Sequence, residues 1–160
     1  MDLIFFDLDG TLLNRSSQIS TFTRETLDLL SEKDIAFTVA TGRTMHSAQF
    51  VLEGQSFVLP HIYNNGVAIW DPTGNALTLE NLLAPSEVNL IVEYAVKNNI
   101  TPFINTVNLE SPEHEHIIYY STPKHLIERN LIDKYFSRTK ARLAPIEELP
   151  AAAHITNISM

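Results

Sequence analysis

Asp7 and Asp9 stand one residue apart at the end of the apolar run Leu3 to Phe6, and Gly10 and Thr11 follow at once in the segment IFFDLDGTLL. Two carboxylates this close can divide labour: one attacks an electrophile while the other moves protons, and a hard cation lowers their mutual repulsion. Leu3 to Phe6 reads as a β-strand buried on both faces, and the carboxyl end of such a strand is where open α/β sheets bind ligands. Acids held there without a use would be costly. Side chains alternate along a strand, so the chain must turn at Leu8 or Asp9 for both carboxylates to reach one site. Gly10 permits that turn.

The elements that follow must hold this pair in place. Ser20 to Lys33 carries Leu27, Leu29 and Leu30 among polar residues and reads as a helix, with Ser20 or Thr21 able to cap its start. Ile35 to Ala40 is a second apolar strand that ends in Thr41, Gly42 and Arg43. Strand, helix and strand at short spacing imply a right-handed parallel crossover, which sets Thr41 beside Asp7 at one edge of the sheet. There a small hydroxyl can donate to a phosphate oxygen, and Gly42 lets its own N–H approach closely. Arg43 either clamps phosphate or pairs with an acidic neighbour and shapes the loop. Thr44 to Leu52 reads as a helix with Met45, Ala48 and Leu52 on one stripe and His46 as a solvated residue off it. Phe57 to Tyr63 leads a third strand into Asn64, Asn65 and Gly66, a strong turn signal.

The segment DLDGT at Asp7 to Thr11, after a hydrophobic strand, resembles the first motif, DxDG[TV], of the haloacid dehalogenase superfamily of phosphotransferases. Thr41 at the end of the second strand resembles the second motif. The form TGR at Thr41 to Arg43, with NG at Asn65 and Gly66, resembles the Cof-type (IIB) sugar-phosphatase branch. The resemblance implies that Asp7 is the nucleophile that forms an aspartyl-phosphate, and that Asp9 protonates the leaving oxygen and later takes a proton from water. That switch requires an Asp9 pKa above that of Asp7. Mg²⁺ would be held by the Asp7 carboxylate and the Asp9 backbone carbonyl. Thr41 and the N–H groups of Leu8 and Gly42 would bind the phosphate oxygens, with Gly10, Thr11 and Arg43 in the same set. Asn65 is either a substrate contact or only a turn residue.

After Gly66 the pattern changes. Val67 to Trp70 and Ala76 to Leu79 flank a turn and read as a hairpin. Pro85 opens a helix with Val88, Ile91, Val92 and Ala95 at helical spacing. Strands follow at Pro102 to Thr106 and His116 to Ser121, then a helix from Pro123 to about Phe136 capped by Ser121 or Thr122. His154 to Met160 reads as a strand. Such a run makes an α+β module distinct from the parallel core. The resemblance implies an inserted cap that chooses the substrate. The expected fold is therefore α/β: residues 1–82 as part of a parallel Rossmannoid core with a hairpin at 67–79, and residues 83–160 as part of an α+β cap. His114 and His116 would share a strand face, but without a third ligand the reading is a solvated loop and strand. Lys134, Arg138, Lys140 and Arg142 form a modest basic stretch that suits a polar helix end.

Composition narrows the partners. At 160 residues and 44% hydrophobic the chain can bury a core, and its charge of −8 argues against a nucleic-acid surface. No apolar run approaches the roughly 20 residues of a membrane span, and no leader pattern opens the chain. With zero cysteines a reducing cytoplasm is the expected setting. The expected ligand is a small phosphorylated metabolite whose identity the sequence leaves open. The family's third motif, a Lys or Arg, and its fourth, a GDxxxD-like acidic loop, are not visible. The chain thus resembles about the first 60% of a family member and is expected to be weak or inactive as it stands. A first strand lacking neighbours on one side would be an apolar edge, open to self-association, strand swapping or pairing with a missing half. Other readings are a non-catalytic phosphate- or Mg²⁺-binding remnant, a phosphoacceptor signalling domain and a phosphomutase.

Overall fold

Strand β1 (Leu3–Phe6) pairs in parallel with β2 (Ala36–Val39) in the register Leu3↔Ala36 to Phe6↔Val39, and helix α1 (Thr21–Glu32) makes the crossover between them. This computed structural model describes residues 3–135, 139 and 141–160. Contacts divide the chain into two units, Met1–Glu80 and Asn81–Met160. In the first, Ser20 caps α1 by accepting the Thr23 N–H at 3.1 Å. Helix α2 (Met45–Leu52) is capped in the same way by Thr44. Ser and Thr suit these positions because their oxygens satisfy N–H groups that have no partner in the first turn.

Strand β3 (His61–Tyr63) continues the parallel sheet through a single bridge, Ala40↔Ile62, and then pairs antiparallel with β4 (Ala68–Asp71). β4 pairs with β5 (Ala76–Leu79) to close a three-stranded meander, so the hairpin is one part of a larger sheet. Leu8, Leu27, Phe37, Val39, Ala48 and Tyr63 are buried in one core cluster.

β1 departs from the strand expected to be buried on both faces. Leu3 is 45% and Phe5 53% exposed. Among the described residues β2 is its sole strand neighbour, which leaves an apolar edge. Four consecutive apolar residues show that a strand can be covered on both sides; whether it is depends on the elements beside it.

The second unit is an α+β layer. Helix α3 (Pro85–Lys97) opens with Pro85, and the Glu87 carboxylate accepts the Ala84 N–H at 2.7 Å. The sheet has the order β8-β7-β6-β9, built from β6 (Phe103–Val107), β7 (His116–Tyr120), β8 (Arg142–Pro145) and β9 (His154–Ser159). Ile104, Ile117, Tyr119 and Ile155 pack with Val88 of α3, while Phe103 and Ile118 form a second cluster with Ile132.

Three expectations in this unit change. Helix α4 (Leu126–Asn130) starts three residues after Pro123, with His125 rather than Ser121 or Thr122 at its N-cap, because Glu128 draws in the N–H groups of Lys124 and His125. A π-type turn carries it through Tyr135, and its expected end at Phe136 lies outside the described residues. Arg142 opens β8, parallel to β7, where a helix end was expected. The side chain of Lys134, with Arg138 and Lys140, lies outside the described residues. His114 sits in the loop before β7, and His116 is buried with Nε2 3.0 Å from Asn105 Oδ1, so it is a core residue and not a solvated one. No described helix is long and apolar enough to cross a membrane.

Candidate active site

The carboxyl ends of β1 and β2 meet as the crossover requires: the Ala40 N–H donates to the Phe6 carbonyl at 2.9 Å, and Asp7 and Thr41 are the next residues on each strand. Beyond Phe6 the chain turns at Leu8. The N–H groups of Thr11 and Leu13 donate to the Leu8 carbonyl at 3.3 and 2.8 Å, and the Leu12 N–H donates to that of Asp7 at 3.3 Å. Gly10 takes φ 81°, a left-handed conformation that suits glycine. Leu8 is fully buried, while Asp7, Asp9, Gly10 and Thr11 are exposed. Both acids therefore reach solvent, and most of the burial cost inferred from the strand's composition is avoided.

Thr41, Gly42 and Arg43 form the facing loop. Thr41 is buried, and its Oγ1 accepts the Arg43 N–H at 3.2 Å, which leaves its own proton to donate elsewhere. Arg43 closes on Asp9 with a bidentate fork: Nε donates to Oδ2 and Nη2 to Oδ1, each at 2.7 Å. Of its two readings, pairing with an acidic neighbour is the one this structure displays. The Arg43 hydrogen bond and charge hold the Asp9 carboxyl below its ordinary value against the upward push of burial. In this arrangement Asp9 is an ionised acceptor, the opposite of the raised pKa that an acid–base switch requires.

The turn after β3 is tied to that loop. The Asn65 N–H donates to the Thr41 carbonyl at 3.1 Å and the Asn64 N–H to the Arg43 carbonyl at 2.9 Å. Asn64, Asn65 and Gly66 take φ values of 52°, 55° and 99° in succession. Asn tolerates this region better than most residues and Gly66 adopts it freely, so the strain lies in the two asparagines and is held by the contacts around them. The Asn65 side chain lies against Gly42, where an added Cβ would sit 3.0 Å from its Oδ1. Asp9, Thr41, Gly42, Arg43 and Asn65 are thus linked by direct contacts, with Asp7 at the adjacent strand end. Thr11 is exposed to solvent in the first loop.

Reasoning from the sequence passed over two features. Asn64 is buried and braces the Arg43 carbonyl, and the Asn doublet was the available signal. In β3, His61 and Tyr63 alternate inward and bond through Nδ1 and the phenol oxygen at 2.6 Å. Burial lowers the pKa of His61 and raises that of Tyr63.

A sequence profile described as haloacid dehalogenase-like hydrolase matches residues 4–157. The chain belongs to this family. Within the haloacid dehalogenase-like hydrolases it is similar to the 5-amino-6-(5-phospho-D-ribitylamino)uracil phosphatase YcsE of Bacillus subtilis, at 31% identity over 66% of this chain and 42% of that protein. It is also similar to the HMP-PP phosphatase of Shigella flexneri, at 36% identity over 58% of this chain and 33% of that protein. The matched region thus spans well under half the length of these curated relatives. Among solved structures, TM0651 from Thermotoga maritima superposes with a TM-score of 0.69 at 25% identity, over 98% of this chain and 54% of that one. The subclass IIB sugar phosphatase BT4131 superposes with a TM-score of 0.71 at 20% identity, over 97% of this chain and 56% of that one, which establishes the shared fold.

The donor chemistry of the site suits a hard cation. Asp7 presents an exposed carboxylate, and no group of three or more His, Cys, Asp or Glu able to hold a metal occurs among the described residues. A carboxylate oxygen is a hard donor of the kind Mg²⁺ takes one or two at a time, with water and substrate oxygens completing the octahedron.

Proposed function

We propose that this chain carries the nucleophile of a phosphohydrolase for small phosphomonoesters that works through an aspartyl-phosphate on Asp7. The observation that carries the reading is that an exposed Asp7 and Thr41, whose hydroxyl accepts from Arg43 and so has its proton to give, stand at the adjoining ends of β1 and β2. An Asp7 oxygen attacks phosphorus as the bond to the leaving oxygen breaks, and Asp9, once free of Arg43 and protonated from solvent, gives its proton to that oxygen. Water then attacks the same phosphorus, Asp9 takes its proton, and phosphate leaves with Asp7 restored. Thr41 and the N–H groups of Leu8 and Gly42 stabilise the phosphoryl oxygens. Mg²⁺ would be held by the Asp7 carboxylate and the Asp9 carbonyl, and when bound it offsets negative charge between nucleophile and phosphate.

The ligand is a small phosphorylated metabolite, as the names of the phosphatase relatives favour, and the −8 charge disfavours nucleic acid. The absence of cysteine agrees with work in the cytoplasm. Arg43, the cation beside the acids, is engaged by Asp9, so turnover is expected to be slow while that pair is closed.

The test is incubation with p-nitrophenyl phosphate and Mg²⁺, with reductive trapping of an acyl phosphate and peptide mass mapping. Slow p-nitrophenolate release and label on Asp7 are expected, both lost in Asp7→Asn. Release that survives Asp7→Asn would overturn the assignment.

A further inference from the structure

The Arg43–Asp9 pair sets a condition on the chemistry proposed above. Each Asp9 oxygen accepts one bond from a single guanidinium fork, so Arg43 fixes the direction in which the carboxylate points while the pair is closed. The side chains differ in exposure: that of Asp9 is 57% exposed and that of Arg43 17%. The Arg43 backbone is pinned on both sides, its N–H donating to Thr41 Oγ1 and its carbonyl accepting from Asn64. With its backbone bonded on both sides, Arg43 can open the pair by rotation of its side chain. The same fork that fits a carboxylate fits a phosphoryl group, which carries more charge and more acceptor oxygens.

We propose that Arg43 is a phosphate-operated latch: it holds Asp9 until a phosphoryl group bound at Asp7, Thr41 and Gly42 draws the guanidinium across and releases the Asp9 oxygens. The inference rests on the reading of those residues as a phosphoryl site and adds its regulation. The latch keeps the proton-transfer group occupied until a phosphoryl group arrives. It also lowers apparent phosphate affinity, because the competent state is a fraction of the population; a latch closed about 90% of the time weakens binding about tenfold.

The test is a double-mutant cycle read by calorimetric titration with inorganic phosphate at pH 7, using the wild-type chain, Asp9→Asn, Arg43→Ala and the double variant, each verified as folded by circular dichroism. Removing the Asp9 charge favours an anion by simple repulsion in either background. The latch adds a gain that requires Arg43, so Asp9→Asn should tighten phosphate about tenfold when Arg43 is present and less than about threefold in the Arg43→Ala background. In the wild type the Arg43 Nε–Hε resonance should move along the same binding curve. Equal gains in both backgrounds, or a resonance that stays fixed while phosphate binds, would overturn the latch and leave the phosphate site standing. Failure of all four proteins to bind phosphate would overturn the site and the latch together.

Discussion

Glu128 offers a sharp measure of how the second unit is held. It is buried, and its Oε1 accepts the Thr101 N–H at 2.9 Å while Oε2 accepts those of Lys124 and His125 at 2.7 and 2.9 Å. One carboxylate thereby ties the start of α4 to the residue that leads into β6. Burial pushes its pKa up, and the three backbone donors outweigh that push and bring it from 4.5 down to about 2. Because the folded pKa lies below the unfolded one, the linked stability is complete above about pH 4.5 and is lost as pH falls through about 2. At about 1.4 kcal/mol per pKa unit the full linkage is at most about 3 to 4 kcal/mol, and the part of the carboxylate near solvent reduces it. Glu128→Gln keeps the shape but turns an amide N–H₂ toward backbone donors, so a loss of about 2 kcal/mol is expected at pH 7. Urea unfolding followed by circular dichroism from pH 7 to pH 2.5 measures the difference, which should shrink toward zero at the acid end. Hydrogen exchange should show the Thr101, Lys124 and His125 amides losing protection together. A variant within about 0.5 kcal/mol of wild type at pH 7, or a difference that does not change with pH, would refute the reasoning.

Gly42→Ala places a methyl group 3.0 Å from Asn65 Oδ1 and must displace that side chain or the loop. Phosphate-ester turnover, compared with wild type, should fall by about tenfold to a hundredfold while the unfolding midpoint moves little. The open edge of β1 should make the chain self-associate, so light scattering should find a species larger than a monomer, and Phe5→Lys should shift it toward one. A wild-type chain that stays monomeric at high concentration would exclude that role for the edge.

Much of the first unit was legible because its signals are local. Apolar runs of strand length, a Leu-bearing helix and Ser or Thr caps placed β1, α1, β2 and α2 to within one or two residues, and the strand–helix–strand order sufficed to bring the ends of β1 and β2 together. The second unit was less legible where structure depends on remote partners. Arg142 to Pro145 is short and ends in proline, and it is a strand because β7 offers a parallel edge. α4 begins at Leu126 because Glu128 collects backbone N–H groups from two segments, one of them 27 residues away.

The sequence by itself determined which residues can do chemistry: a DLDGT turn after a strand, a TGR loop after the next and an Asn-Gly turn after the third, since these depend on residue type and short spacing. The tertiary structure decided what state those residues are in. Asp9 is held ionised by an arginine 34 residues away, Thr41 spends its acceptor on a neighbouring N–H, and Asn64 and Asn65 are kept in a left-handed run by the loop they brace. The charge state and hydrogen-bond direction of a group follow from what surrounds it in space, and β1 shows the same rule in packing, with one uniform apolar run half covered and half exposed.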